Sequence, residues 1–244
     1  MKIVHIVYSL EMGGAEVLVA QLCRIQREQG HDVSVCVYSQ LGVIGEALAA
    51  EGFDIRVMGV AHPLTSMRRY YKLFRQTKPD VVHCHNVAPT IQAALSARLA
   101  GVPRVLTTRH RVQIPYEVAE EVKYNLAYRP CYKVVGICEA TCIDLRGAPL
   151  AQAKKVVRVY NGTTAVPRVS IDGLGKRGFT LVVVGRLAVV KDVGTLIRAV
   201  ALALERVPEL DLWIVGDGIT RPQLEALTAE LGIGDHVKFW GQQV

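Results

Sequence analysis

Three stretches of this 244-residue chain place chemically capable groups at the ends of apolar runs. In "VVVGRLAVVKD", residues 182–192, an apolar run breaks at Gly185 and is followed by Arg186 and Lys191. A guanidinium is a planar fork that grips phosphate oxygens through two parallel hydrogen bonds, whereas an ammonium is a mobile point charge. Both flank the start of a helical pattern at Asp192, whose N-terminal dipole favours the same negative charge. Two fixed cations there could stabilise a leaving diphosphate in place of a divalent ion. The plain alternative is a solvated Arg and Lys on a loop. In "YSLEMGGAE" the pair Gly13-Gly14 follows another apolar run and opens a helical one. Paired glycines either let backbone N–H groups approach a phosphate or satisfy a tight turn. A dinucleotide site fits badly, because the spacing is not G-x-G-x-x-G and the second strand ends "VYSQ" without a ribose-binding acid.

The third stretch is "VLTTRH", which ends on His110. A His at a strand end can serve a ligand or hydrogen-bond a loop carbonyl. Arg109 and Arg111 beside it are expected to lower its pKa by like-charge repulsion and keep it neutral. His83-Cys84-His85 offers metal-ligand types. On a strand, however, alternation sends both histidines to one face and Cys84 to the other, so no metal site is read there. Asp-x-Asp, the common diphosphate–metal clamp, occurs nowhere in the sequence.

These groups need elements to hold them. Short β-branched runs (Ile3–Tyr8, Val33–Tyr38, Asp54–Val57, Val81–His85, Val105–Thr108, Val134–Gly136, Val156–Tyr160) alternate with amphipathic stretches such as Ala15–Gln29, Val43–Glu51, Ser66–Thr77 and Thr90–Ala100. Near-continuous apolar strands imply burial on both faces and hence a parallel sheet. With alternating helices, that predicts a doubly wound α/β fold, whose ligands bind outside the carboxyl ends of the strands. Residues 1–165 read as a first domain, 166–178 as a linker within a Gly-, Pro- and polar-rich stretch, and 179–244 as a second. The second holds only about three strands, few for a sheet covered on both faces.

Composition narrows the partners. Half the residues are apolar and 21% are charged, with a net charge of +7. No nucleic-acid-binding pattern accompanies that charge, so an anionic small molecule or membrane surface is expected in place of nucleic acid. Six cysteines show no C-x-x-C spacing and read as reduced. His5 and Glu11 interrupt any apolar core of a signal peptide, which points to the cytoplasm. In "SMRRYYKLFRQTK", Met67, Tyr70, Tyr71 and Phe74 form an apolar stripe, while Arg68, Arg69, Lys72 and Arg75 fill other positions. Met67 to Arg75 could therefore contact an anionic leaflet peripherally, or be a core stripe with a solvated basic face.

"GGAE", "TTRH" at 107–110, "VYNGTT" at 159–164, "GRLAVVKDVGTLIRA" at 185–199 and "IVGDGITRPQLEALTAELGIGDHVKFWG" resemble, in that order, retaining GT-B glycosyltransferases of family 4 (GT4). The resemblance implies an α/β fold of two Rossmann-like domains facing a cleft, the second incomplete. It also implies transfer of a sugar, with retention, from a nucleotide-diphosphate-sugar donor to a lipid-linked or polysaccharide acceptor, with neither metal nor cofactor. Gly13 and Gly14 match the loop that touches the donor diphosphate, and His110 matches a His at the donor sugar. Arg186 and Lys191 match the pair that stabilises the leaving diphosphate. Gly216 and Gly218 match a glycine turn on the nucleotide side, while Asn161 and Gly162 look hinge-forming. The family's Glu-x7-Glu motif, expected after "HVKFWG", is absent from this sequence, so the chain is expected to be truncated and weakly active or inactive alone. The alternatives are a nucleotide-sugar epimerase of the same architecture, or a non-catalytic nucleotide-sugar- or membrane-binding module.

Overall fold

The computed structural model describes residues 1–111, 117–163 and 178–243. Most of the predicted linker falls outside them. The chain divides into two compact units, Met1–Val166 and Pro167–Val244.

In the first unit, strands β1 (Lys2–Val7), β2 (Asp32–Val37), β3 (Asp54–Val57), β4 (Val81–His85), β5 (Arg104–Arg109), β6 (Lys133–Gly136) and β7 (Val156–Arg158) alternate with helices. The helices are α1 (Gly14–Glu28), α2 (Gly42–Ala50), α3 (Pro63–Thr77), α4 (Val87–Leu99), α5 (Val118–Tyr128) and α6 (Glu139–Gly147). The strands form one parallel sheet in the order β3-β2-β1-β4-β5-β6-β7. Successive strands run outward from β1 in one direction and then from β4 in the other. A crevice therefore opens at the carboxyl ends of β1 and β4.

Alternation along the strands builds a core on each face. Val4, Ile6, Val82 and Cys84 pack with Tyr70 and Phe74 of α3 and with Ala93 and Ala97 of α4. Val7, Val35 and Val37 pack with Val19 and Cys23 of α1 and Leu48 of α2. Fully burying an aliphatic or aromatic side chain contributes about 1.5–3 kcal/mol, so the two layers dominate the stability of the unit. Helix α3 begins with Pro63 at its first turn and stops at Lys78, whose φ of 47° breaks the helix just before Pro79. Its buried residues are Ser66, Tyr70, Leu73 and Phe74, while Tyr71 is 40% exposed. The inward face is thus rotated from the predicted stripe, Leu73 taking the place given to Tyr71. Ser66 tolerates burial because its Oγ donates to the Ala61 carbonyl at 3.4 Å.

Helix α5 lacks an apolar stripe because its inward face is polar: Glu121, Asn125 and Tyr128, at i, i+4 and i+7, are its buried residues. That is helical spacing without an apolar signal.

The second unit is a three-stranded parallel sheet, ordered β10 (Val237–Gly241), β9 (Asp211–Val215), β8 (Thr180–Val184). Helices α7 (Val193–Leu204) and α8 (Arg221–Glu230) bury Ile197, Val200, Leu224 and Leu227 with Leu212 and Ile214 of β9. Across the register, Val182 lies beside Trp213 and Val184 beside Val215, on the sheet face opposite Leu212 and Ile214. Val184 is 75% exposed there, and Trp213 meets Trp240 edge-on with centroids 5.2 Å apart.

The hydroxyls of Tyr70 and Tyr128 are buried with no hydrogen-bond partner among the described residues. Burying such a group costs free energy without return. Tyr70→Phe is therefore expected to leave stability unchanged or raise it by up to about 1 kcal/mol. A urea midpoint lowered by this substitution would contradict the unsatisfied hydroxyl.

Candidate functional site

At the crevice of the first unit, Gly13 caps α1 in an extended conformation (φ −167°, ψ 159°) that any residue can adopt. A tight-turn requirement therefore does not explain the glycine pair. A Cβ on Gly14 would meet nothing within 4 Å, and one on Gly13 would meet only the flexible carboxylate of Glu16. What the pair does is keep space open in front of the first backbone N–H groups of α1. Val7, Tyr8, Ala15, Glu16, His85 and Asn86 line a small niche beside it.

Asn86, immediately after β4, holds a backbone conformation rare for a side-chain-bearing residue (φ 66°, ψ 179°). Such strain costs about 1–3 kcal/mol and persists only where its surroundings impose it. Here the Asn86 N–H donates to the Thr108 carbonyl at 2.7 Å, and its Oδ1 accepts the His110 N–H at 3.2 Å. Asn86 thus staples the end of β4 to the end of β5 and fixes where His110 leaves the sheet.

The His110 ring stacks on His85 with centroids 5.4 Å apart, and its Nε2 lies 3.2 Å from His85 Nδ1. His85 Nε2 in turn lies 3.0 Å from His5 Nδ1, and His5 Nε2 lies 2.8 Å from Gln26 Oε1 on α1. Strand register builds this stack: His5 of β1 sits opposite His83 of β4, and His85 follows two residues on, on the same face. Strand alternation separates Cys84 from the two histidines, and Cys84 is buried in the other layer. His5, which no pattern within its own strand marks, comes in from the neighbouring strand; nitrogens of His5, His83 and His85 all lie within 4.8 Å of one another. His83 Nε2 pairs with Thr108 Oγ1 at 2.8 Å.

Burial pushes His110 down to about 4, so it is neutral at physiological pH. The direction matches the expectation, but the cause does not. Arg109 exerts no net repulsion, because its buried guanidinium is matched by Glu121 of α5 (2.6 and 3.1 Å) and Asp144 of α6 (3.1 Å). Desolvation is also the main reason that His5 lies below the usual histidine value and that His83 and His85 lie well below it.

In the second unit, Arg186 and Lys191 lie on the loop between β8 and α7. Both are exposed, and among the described residues neither makes an ion pair. The loop itself is firmly held. Leu187, between the cations, is 1% exposed and roots it in the core. Lys191 ends a 3-10 turn, and Asp192 (φ 46°) starts α7 with its carboxylate accepting the Thr195 hydroxyl at 2.9 Å. Gly185 N–H donates to Val215 O and Leu187 N–H to Asp217 O, both at 2.9 Å, knitting this loop to the one after β9. That approach explains "GDG": a Cβ on Gly216 would collide with the Gly185 carbonyl, and one on Gly218 with that of Leu187. Gly216 also has φ 135°. The two glycines therefore act first on backbone packing. Asp217 between them is held below the usual carboxylate range by the Gly218 N–H and by Arg221.

Within the first unit, Gly13, Gly14 and His110 thus gather around one crevice. Within the second, Arg186, Lys191, Gly216 and Gly218 occupy two adjoining loops. Asn161 and Gly162 are exposed chain after β7. On α3, the outward residues Leu64, Arg68, Tyr71 and Arg75 follow helical spacing, with Arg69 and Lys72 also exposed. Beside α3, an apolar hollow of about 690 Å³ is lined by Met67, Ile91, Leu95, Val122 and Leu126, with Lys123 and Arg129 among its polar groups.

Two Rossmann-like units with functional groups at the carboxyl ends of parallel strands define an α/β protein of the GT-B class. Residues 12–165 match the family model described as Glycosyltransferase Family 4, and residues 171–244 match Glycosyl transferases group 1. The chain belongs to glycosyltransferase family 4. It is 26% identical over 183 residues to the UDP-Gal:alpha-D-GlcNAc-diphosphoundecaprenol alpha-1,3-galactosyltransferase of Escherichia coli, covering 67% of this chain and 47% of that protein. It is 48% identical over 65 residues to the lipopolysaccharide core biosynthesis glycosyltransferase LpsD of Rhizobium meliloti (strain 1021), covering 27% of this chain and 18% of that one. The chain thus spans about half or less of the length of these relatives. Among solved structures, Anabaena HepE in complex with UDP and glucose superposes with a TM-score of 0.81 at 21% identity, covering 100% of this chain and 70% of that one. WaaG, involved in lipopolysaccharide biosynthesis, gives 0.71 at 16% identity, covering 99% and 70%.

The depressed histidines set an acid limit. Because each binds its proton below 6.5 when folded, the unfolded chain takes up more protons as pH falls through that value. Their contribution is full above about pH 6.5 and is lost progressively as pH falls below it, the part from His110 by about pH 4. Urea midpoints are expected to fall between about pH 7.5 and pH 5; a flat profile across that range would refute the buried neutral stack.

Proposed function

We propose that this chain provides the acceptor-side unit and the diphosphate-binding loop of a retaining, metal-independent glycosyltransferase using a nucleotide-diphosphate-sugar donor. The observation that carries the reading is the exposed pair Arg186 and Lys191 on a loop fixed by Leu187 and by Gly216 and Gly218. A charge-stabilising device works best when it needs no reorganisation at the moment of reaction. In the reaction, the bond between the anomeric carbon and the leaving phosphate oxygen breaks, and its electron pair goes to the diphosphate. Arg186 and Lys191 stabilise that charge. The acceptor hydroxyl attacks from the face the diphosphate leaves, so configuration is retained, and its proton passes to the departing phosphate oxygen. Gly13 and Gly14 leave room for the diphosphate at the start of α1, His110 meets the donor sugar, and Asn161-Gly162 serve as a hinge.

Family membership favours transfer over epimerisation, which the shared fold alone does not distinguish. HepE binds UDP and glucose, and the E. coli relative acts on a diphosphoundecaprenol-linked substrate. Both support a sugar-nucleotide donor and a lipid-linked or polysaccharide acceptor for this chain. Calorimetry with UDP tests the loop. Arg186→Ala and Lys191→Ala are each expected to weaken binding about tenfold, equal to about 1.4 kcal/mol, with Arg186→Lys restoring little because an ammonium lacks the fork. Equal UDP affinity in all variants would remove the loop from the donor site.

Peripheral contact with an anionic, cytoplasm-facing leaflet is part of the same reading. Among the described residues no helix is long and apolar enough to cross a membrane. Because Tyr70 and Phe74 are buried, the support comes from the outward basic face of α3 and from exposed Leu64 and Tyr71. Changing Arg68, Arg69 and Lys72 together to Glu is expected to abolish flotation with vesicles rich in anionic lipid. Unchanged flotation would end the membrane assignment.

A further inference from the structure

The histidine stack contains a proton-counting constraint. Four side chains are joined end to end by three contacts: Gln26 Oε1 to His5 Nε2 at 2.8 Å, His5 Nδ1 to His85 Nε2 at 3.0 Å, and His85 Nδ1 to His110 Nε2 at 3.2 Å. His5 and His85 are essentially fully buried, at 0% and 2% exposure. Three neutral imidazoles carry three N–H protons, one each, and each contact needs exactly one proton to be a hydrogen bond. The terminal amide oxygen can only accept, so His5 must be protonated at Nε2. Its Nδ1 is then bare and must accept from His85 Nε2. By the same step, His85 Nδ1 is bare and must accept from His110 Nε2.

We infer that Gln26, His5 and His85 are positioning residues that set the tautomer of His110, protonating Nε2 and leaving Nδ1 as a bare acceptor. The far end of the chain agrees with this count. His110 Nδ1 is buried and has no partner among the described residues, as a lone pair waiting for a donor would be. A bare imidazole nitrogen accepts from a hydroxyl and repels a phosphate oxygen. On the donor assignment proposed above, His110 therefore takes an O–H of the sugar, and the diphosphate is left to the cations. A metal ion held by His5, His83 and His85 is the rival use of the cluster. It would need lone pairs that the contacts of His5 and His85 already occupy, and a divalent charge would enter a buried group that includes no carboxylate. Turning the Gln26 amide over would reverse every bond in the chain and make His110 Nδ1 a donor, so the polarity of the whole relay is decided at α1.

The test is long-range proton–nitrogen NMR on the ¹⁵N-histidine-labelled full chain at neutral pH, where the two nitrogens of a neutral ring report separately on protonation. His5, His85 and His110 should all appear as Nε2–H with a pyridine-type Nδ1. Gln26→Leu removes the obligate acceptor from a half-exposed position and should shift His110, two rings away, to a mixture of tautomers. Gln26→Glu keeps only acceptor oxygens and should restore the Nε2–H pattern. Nδ1–H on His110 in the parent chain, or a His110 tautomer unchanged by Gln26→Leu, would overturn the relay. Loss of the imidazole signals on adding a chelator, or their shift on adding zinc, would instead assign the cluster to a metal. The experiment contains no donor, so a failure of sugar-nucleotide binding would be read separately from a failure of the relay.

Discussion

Parallel pairing of β1 with β4 places His5 against His83 and leaves the carboxyl ends of both strands side by side. The chain reaches β4 only after building β2 and β3 outward on the other side, so this pair marks where the winding reverses. Everything else at the crevice is referred to it. Helix α1 starts from β1 and brings Gln26 to His5, Asn86 follows β4 and ties down β5, and β5 delivers His110 to His85. A register slip of one residue would turn His5 into the opposite layer and put Ile6 in the stack.

The two units position polar groups by different physics. In the first, side chains are placed by burial. Arg109, Glu121 and Asp144 form a desolvated charge group at the base of the crevice, and the histidines are neutral because charging them there would forfeit hydration. In the second unit Arg186 and Lys191 are exposed, and order comes from backbone contacts beneath them, between Gly185 and Val215 and between Leu187 and Asp217. The contrast is between neutral rings held in place by burial and positive charge held at the surface by the backbone beneath it.

The strand and helix order of the first unit was readable in the sequence because parallel strands buried on both faces produce β-branched runs, and β1, β2, β4 and β5 rest on such runs. Arg186, Lys191 and the glycine pairs could be singled out because their types and positions after strands have a chemical meaning by themselves. His5 could not, since it sits within a continuous apolar strand and gains its role only from the register with His83. Helix α5 was obscured for the opposite reason: its inward residues are polar, and Glu121 among them is matched by Arg109, which lies outside the helix on β5. Met67 to Phe74 misled by a single rotation, because period-3.6 patterns fix a helix face only to within about one residue. Gly13 was legible as a glycine but not as one whose backbone does not require it.

The contact that Gly216 and Gly218 permit has a mechanical consequence. Two loops whose backbones touch without intervening side chains cannot slide past one another without breaking Gly185–Val215 and Leu187–Asp217 hydrogen bonds together. Any displacement that carried Arg186 and Lys191 would therefore carry the loop after β9 with it. The cations behave as part of a stiff plate, and compliance has to reside elsewhere in the chain.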